Sequence, residues 1–257
     1  MWYSPLLRVI PDMQSRFRWV SCQLDSLRKC RSPAALEKSL RSLPKTLYET
    51  YDRILKDIDD DDRRDALRIL QWLSFSVRAI SLQEAVEVLA TDPEAETGSQ
   101  FNPRRRLRDP LAIVTICPSL VIVTENGRFP EPRELRLTHF SVREYLTSDR
   151  LSSADVTLSF FYFSKRLADT VIAQIRLVYL LQFDQDGSVN RRTTETHPLS
   201  PYAARYWMTH AQPDNDGSSD TLYQLILDLF QSKKAIYSNW LRLYMRENYL
   251  PATTLFR

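Results

Sequence analysis

The sequence predicts a mainly α-helical chain: a helical segment, then a winged helix with a small β-hairpin, then a helical spacer. Three observations predict it. Glycine is scarce and proline common, 4 against 14 in 257 residues. Apolar residues recur at steps of three and four through most of the chain. Between residues 63 and 139 the elements read helix, helix, helix, strand, loop, strand, which is the order of a winged helix.

Residues 1–15 show no clear period, and a helical stripe begins with Val20, Leu24 and Leu27 in a segment from Phe17 to Cys30. Ser32-Pro33 reads as a cap followed by proline at the first helical position, opening a short helix to about Leu40. Leu43-Pro44 starts another, with Leu47, Tyr51, Ile54, Leu55 and Ile58 on one face. Asp60 to Asp62 precede the next helix, where its dipole favours negative charge. Ala66, Leu67, Leu70 and Leu73 form its stripe, with Trp72 and Phe75 adding bulk. Ser81 and Glu84 are spaced as a capping box for a helix over 81–90. Thr91 to Leu107 is polar and reads as loop. Pro110 opens the third helix of the series, which Pro118 helps to end.

Leu120 to Val123 is a β-prone run, and Glu134 to Thr138 alternates, with Leu135, Leu137 and then His139 on one side. The excursion 125–133 between them is the expected wing. Helix returns over Ser141–Arg150, Ser164–Leu181, Ser200–Ala211, Thr221–Lys233 and Ala235–Arg246, with polar linkers at Gln182–His197 and Gln212–Asp220. The expected divisions are 1–59, 60–156 and 157–257.

Composition excludes several function classes. The four glycines (Gly98, Gly127, Gly187, Gly217) are scattered, so no phosphate-cradling loop can be written. The net charge of +3 is too balanced to imply a nucleic-acid or membrane partner. Cys22, Cys30 and Cys117 form no CxxC pair and lie in apolar helical stripes, so buried inert thiols are expected, in a reducing, cytoplasmic setting. The longest apolar stretch, Leu111 to Val123, is too short to span a bilayer.

The motifs with chemical potential are few. The run Asp57 to Asp62 is not a calcium loop: Asp62 stands where a glycine is needed and Arg68 where a bidentate glutamate is needed. There is no GxSxG elbow, HExxH or His/Cys cluster. Arg104, Arg105, Arg106 and Arg108 form a basic patch that, on a winged helix, suggests DNA binding. The third helix argues against it, because Leu111 to Ile116 offers no side chain able to read base edges. The four arginines are therefore read as an arginine-rich surface loop beside a buried helix, with an interaction patch for an acidic protein surface as the functional alternative. His197 and His210 receive no role. His139 closes a strand and precedes a helix, beside the unsatisfied N–H groups of that helix start, where an imidazole can hydrogen-bond backbone or donate to a docked anion.

Four longer segments carry a resemblance: Phe17 to Asp25 (FRWVSCQLD), Leu43 to Leu55 (LPKTLYETYDRIL), Leu137 to Leu146 (LTHFSVREYL) and Pro198 to Ala211 (PLSPYAARYWMTHA). Together they resemble the region C-terminal to the NTPase core in fungal NACHT proteins, members of the STAND class of signalling NTPases that often continue into ankyrin repeats. The winged helix resembles the one named after GPI inositol-deacylase-like proteins. The resemblance runs from about residue 17 to 244 and fades over 1–15 and 245–257.

It implies a winged helix that closes over an ATP- or ADP-binding core. In a full-length relative, a histidine at the position of His139 contacts the β-phosphate of ADP and helps hold the resting state. The phosphate loop and the ankyrin repeats are missing from this sequence, so a truncated gene model or degenerate paralogue is expected. The chain is then a non-catalytic regulatory or scaffold segment with no cofactor of its own. Its partners are proteins, or the missing core and repeats, and it takes no nucleic acid, membrane or small-molecule substrate. Two other readings remain: a DNA-binding winged-helix regulator, and a deacylase-like hydrolase lacking its lipase domain.

Overall fold

The computed structural model describes residues 6–28, 30–94, 100–125, 133–190, 192–211, 220–230 and 235–249. It opens with α1 (Leu6–Arg28), α2 (Pro33–Arg41) and α3 (Leu47–Lys56). The caps follow the chemistry of the sequence. Ser32 accepts the Ala35 N–H and Thr46 accepts the Glu49 N–H, so the third helix begins at Leu47, not at Pro44. The first helix starts well before Phe17. Propensity and continuation of the helix carry it through a stretch without apolar period.

The winged helix follows: α4 (Arg63–Phe75), β1 (Ile80–Ser81), α5 (Leu82–Leu89), α6 (Ile113–Ile116), β4 (Val121–Thr124) and β5 (Glu134–Leu137). The hairpin expected from sequence is present, with Val121 opposite Leu137 and Val123 opposite Leu135. A third strand completes it. β1 pairs antiparallel with β5, Ile80 opposite Leu135, giving the order β1-β5-β4. Two residues of strand carry no readable alternation, and the Ser81–Glu84 capping box, which starts on the second of them, dominates the local signal. The wing at 126–132 lies outside the described residues.

Two further details differ from expectation. The third helix is a 3₁₀ turn at Pro110–Ala112 running into the four residues of α6. The stretch 91–107 is not wholly loop, since β2 (Thr91–Asp92) and β3 (Gln100–Phe101) pair and Pro103–Arg105 forms a 3₁₀ turn. On α4 the fully buried face is Ala66, Ile69, Leu70 and Trp72, while Leu67 and Leu73 pack at its margin.

The junction with the rest of the chain is made by α7 (Phe140–Leu146), α8 (Asp149–Ser152) and α9 (Val156–Ser159). Beyond them lie α10 (Lys165–Leu181), α11 (Thr193–Thr196), α12 (Ser200–His210), α13 (Asp220–Phe230) and α14 (Ala235–Tyr249). α10 is the axis of this region: it packs on α12 and α13 and also on α4 of the winged helix. One buried apolar cluster runs from Cys22 through Trp72, Leu135 and Tyr179 to Leu243, so all three expected segments share a core.

The polar stretch Gln182–His197 is not a free linker. Asn239, fully buried on α14, donates from Nδ2 toward the Phe183 carbonyl (3.0 Å), the Gln185 carbonyl (2.9 Å) and the Ser188 hydroxyl (3.0 Å). One buried amide thus satisfies a loop whose composition alone suggests solvent. Among the described residues no helix is long and apolar enough to cross a membrane.

Candidate functional site

The strand-to-helix junction at His139 is where three segments of the chain meet. β5 ends at Leu137, and α7 needs its first N–H groups satisfied. His139 does this as the N-cap. Its backbone is extended (φ −160°, ψ 150°), and its Nδ1 accepts the Ser141 N–H at 3.2 Å. Ser141 Oγ lies 2.7 Å from the same nitrogen and 2.9 Å from the Tyr51 hydroxyl on α3. Because Nδ1 accepts a backbone N–H, the neutral ring carries its proton on Nε2. Partial burial, and next the Arg18 guanidinium, hold the imidazole below its ordinary pKa, with Glu144 opposing. The Phe140 ring lies tilted against the imidazole, centroids 4.2 Å apart, and is itself exposed.

Arg18 fastens α1 to this junction. Its Nη2 donates to the Ser119 carbonyl and, at 2.8 Å, to the Thr138 hydroxyl. The Thr138 hydroxyl faces the Ser119 and Leu120 carbonyls, both at 3.1 Å, and its N–H donates to the Leu120 carbonyl at 3.0 Å. Ser119 is in the left-handed region at φ 63°, a conformation that costs a non-glycine residue roughly 1–2 kcal/mol. The strained carbonyl is the acceptor that Arg18 grips, so the turn before β4 and the N-cap of α7 are tied to one guanidinium.

Residues 52–159 match the family model described as GPI inositol-deacylase, winged helix domain. This segment is a winged helix domain of that type. A protein from Monascus ruber, described as azaphilone pigments biosynthesis cluster protein L, is 32% identical over 216 residues. The match covers 83% of this chain and 45% of that protein, so the chain spans less than half the length of this relative. No solved structure matches the chain.

The family match begins at Asp52, inside α3, whereas the division expected from sequence falls between residues 59 and 60. From α3, Asp52 is bonded to α7 and α8. The Tyr145 hydroxyl of α7 donates to Asp52 Oδ1 at 2.5 Å, and Arg150 Nη2 lies 2.6 Å from Oδ2. The rings of Tyr48 and Tyr51 each pack 5.3 Å from Tyr145.

The four arginines of the expected interaction patch are not one patch. Arg104 and Arg108 are exposed, but Arg105 and Arg106 turn into the fold. Arg105 bridges Asp92 (2.9 Å) and Asp65 (3.2 Å), while the buried Arg68 reaches Asp92 and the Thr91 carbonyl. Burial alone raises the Asp92 carboxyl, but the Glu94 N–H, Arg68 and Arg105 outweigh it and leave the pKa below its ordinary value.

Arg106 grips Glu87, 3% exposed, from Nε at 2.6 Å and Nη2 at 2.9 Å. Tyr179 of α10 donates to the same carboxylate at 2.6 Å, and Arg106 also reaches the Thr196 carbonyl of α11 at 3.1 Å. The physical reason is the capping-box helix α5: it points Glu87 inward, and a buried carboxylate requires a guanidinium. Sequence offers arginines in a row but no sign of which carboxylates the fold turns toward them.

Elsewhere, Cys22 and Cys117 are buried and their thiols are pushed up chiefly by desolvation. Cys30 is only half-buried and lies just past the end of α1, 3.3 Å from Ser39 Oγ. Among the described residues no group of three or more metal-ligating side chains comes together.

The resemblance attaches a nucleotide contact to His139. The residues present fit a single donor, the Nε2–H of a neutral imidazole. Arg18, whose charge acts on the imidazole, is committed to Ser119 and Thr138.

Proposed function

We propose that this chain is a non-catalytic regulatory segment of a STAND protein of the NACHT type. In that reading, the winged helix closes over a nucleotide-binding core carried elsewhere in a full-length relative, and the chain works through protein contacts. The observation that carries the reading is the Arg18 tie. A helix whose residues resemble the end of an NTPase module is bonded directly to the winged helix turn and to Thr138, one residue from the histidine that caps α7. That arrangement couples the position of α1 to the conformation of the His139 junction, the kind of two-arrangement contact through which domains switch. The length of the Monascus ruber relative, more than twice the matched stretch, supports a setting with further domains.

The chemistry this chain supplies is limited to its own residues. His139 holds a proton on Nε2, Ser141 and Tyr51 fix the ring, and partial burial, with Arg18 second, favours the neutral imidazole. Against the DNA-binding reading stand the ion pairs that engage Arg105 and Arg106 and the four-residue length of α6.

The test is calorimetry with Mg-ATP and with ADP, alongside a phosphate-release assay. The expected result is no turnover and no tight binding, and steady ATP hydrolysis by the purified chain contradicts the proposal. In a full-length relative, replacing the histidine that aligns with His139 by alanine is expected to weaken ADP retention or raise basal signalling. Unchanged retention returns His139 to a purely capping role.

A further inference from the structure

We infer that the interface of α4, α10 and α12 binds a small monovalent inorganic anion, of the size class of chloride, on the free edge of the Arg176 guanidinium. This goes beyond the proposed function. It requires no nucleotide, and it concerns the joint between winged helix and spacer, away from His139.

Arg176 lies in the buried stretch of α10 with Ile172, Ala173, Ile175 and Tyr179, and is 0% exposed. A guanidinium carries five N–H donors in a rigid plane and accepts nothing. Nη1 donates to the Tyr206 carbonyl of α12 at 2.5 Å. Nε and Nη2 are buried and have no acceptor. Those two nitrogens share one edge of the plane, with parallel N–H bonds, the edge that grips an anion at two points. The Trp72 and Tyr202 ring centroids lie 5.0 and 4.4 Å from Cζ. Ring faces attract the cation but leave its in-plane N–H bonds unanswered. Trp72 repeats the demand: its indole N–H is also fully buried and without an acceptor.

The nearby carboxylates are already engaged. Asp169 and Glu84 are the acidic groups whose charge reaches the guanidinium. Asp169 is held by Lys165 and His210, and Glu84 by Arg78 and the Ser81 N–H of the capping box. Each of these carboxylates is matched by its own cation, so the Arg176 charge is left over. A buried charge without a counter-charge is costly, and buried polar groups in folded proteins find partners, ordered water and ions included. Because the orphaned atoms of Arg176 and Trp72 only donate, the partner must accept. Because the charge is unmatched, an anion answers it better than water does. Full burial restricts that anion to a small, singly charged one.

The experiment follows urea unfolding of the full chain as sodium chloride replaces sodium gluconate at constant ionic strength. A ligand of the folded state alone stabilises it by mass action. Expected is a saturating rise in the midpoint, with the unfolding constant lowered about tenfold once chloride is about ten times its half-saturating concentration. Bromide acts in the same way, and in crystals grown with bromide its anomalous signal lies at the Nε–Nη2 edge. Arg176→Met removes the saturating response. This variant is expected to fold, since an apolar chain of similar volume replaces a buried charge at little cost. Arg176→Lys keeps the charge, loses the two-point edge and requires more chloride for the same effect. Three outcomes overturn the inference: equal midpoints in chloride and gluconate, which leave the edge to water; a chloride response that Arg176→Met shares; or bromide found only elsewhere. Should Arg176→Met fail to fold, the wild-type titration and the bromide position still decide.

Discussion

The winged helix is held on its two sides by different physics. Toward the spacer, the contact is charged and largely buried: Glu87 and Tyr179 are buried and bonded to each other, the partly exposed Arg106 closes over them, and Arg176 of α10, fully buried, lies over the rings of Trp72 and Tyr202 at 5.0 and 4.4 Å. Burial pushes the Arg176 guanidinium down to about 10. Toward α1, apart from the packing of Cys22 and Gln23 on α3, the contact is a guanidinium on two oxygens, one belonging to a strained residue, beside a half-exposed histidine. Buried charge networks are costly to break singly, and thus hold two bodies together as one. A tie through a few hydrogen bonds, under strain, is easier to rearrange. The difference places rigidity between winged helix and spacer, and adjustability between winged helix and α1.

The largest expected effect tests the rigid side. Arg106→Ala leaves the Glu87 carboxylate buried and without its guanidinium, which is expected to destabilise the chain by about 3–5 kcal/mol in urea denaturation. A loss under about 1 kcal/mol shows that the network contributes little to attachment. On the other side, Arg18→Ala removes charge-assisted bonds to Ser119 and Thr138. About 2 kcal/mol is expected, with increased exposure of Trp19, whose indole N–H donates to the Pro44 carbonyl, read by fluorescence. A stability loss matching that of Arg106→Ala erases the contrast.

Much of this contrast was legible in the sequence only as separate parts. The caps at Ser32, Ser81 and Ser164 declare themselves because a side chain and its backbone partner lie three residues apart. The hairpin of Val121–Thr124 with Glu134–Leu137 reads from β-branched residues and alternation. His139 stands out because it ends a strand and starts a helix. By contrast β1, β2 and β3 are two residues each, and pairing partners 40 or more residues away set β1. The ion pairs of Arg105 and Arg106 join residues 13 to 40 apart in the chain, and such pairs leave no local trace. Arg18 shows the same limit: it bonds to residues 101 and 120 positions away.

Acid sharpens the comparison at intermediate size. His210 of α12 is buried with its Nδ1 2.6 Å from Asp169 Oδ1, and Lys165 shares that carboxylate at 2.5 Å. Burial, and then Arg176, hold the His210 pKa below its ordinary value, with Asp169 opposing. His197 and His139 are lowered in the same direction, burial being the first cause in each. A histidine with a depressed folded pKa contributes stability that is full above the unfolded value of about 6.5 and is lost as pH falls through the folded value. The urea midpoint is therefore expected to drop between pH 7.5 and pH 5, and less steeply in His210→Gln. An identical slope in the variant places the acid sensitivity elsewhere.

The smallest effects concern the junction itself. His139→Ala removes the cap of α7 and is expected to cost about 1 kcal/mol, which His139→Asn, a strong capping residue, largely restores. Ser119→Gly relieves the left-handed backbone and is expected to stabilise by a few tenths to about 1 kcal/mol. A destabilised Ser119→Gly indicates that the Ser119 side chain, not strain, governs the turn. Both are read by thermal denaturation.

Native-state hydrogen exchange on the full chain tests the central contrast most directly. Amides of α5 and α10 are predicted to exchange with one common free energy, as a single cooperative unit, while those of α1 from residue 16 to 28 open at a lower one that Arg18→Ala reduces further. Separate opening of α10 from α5, or protection of α1 equal to theirs and indifferent to Arg18, contradicts it.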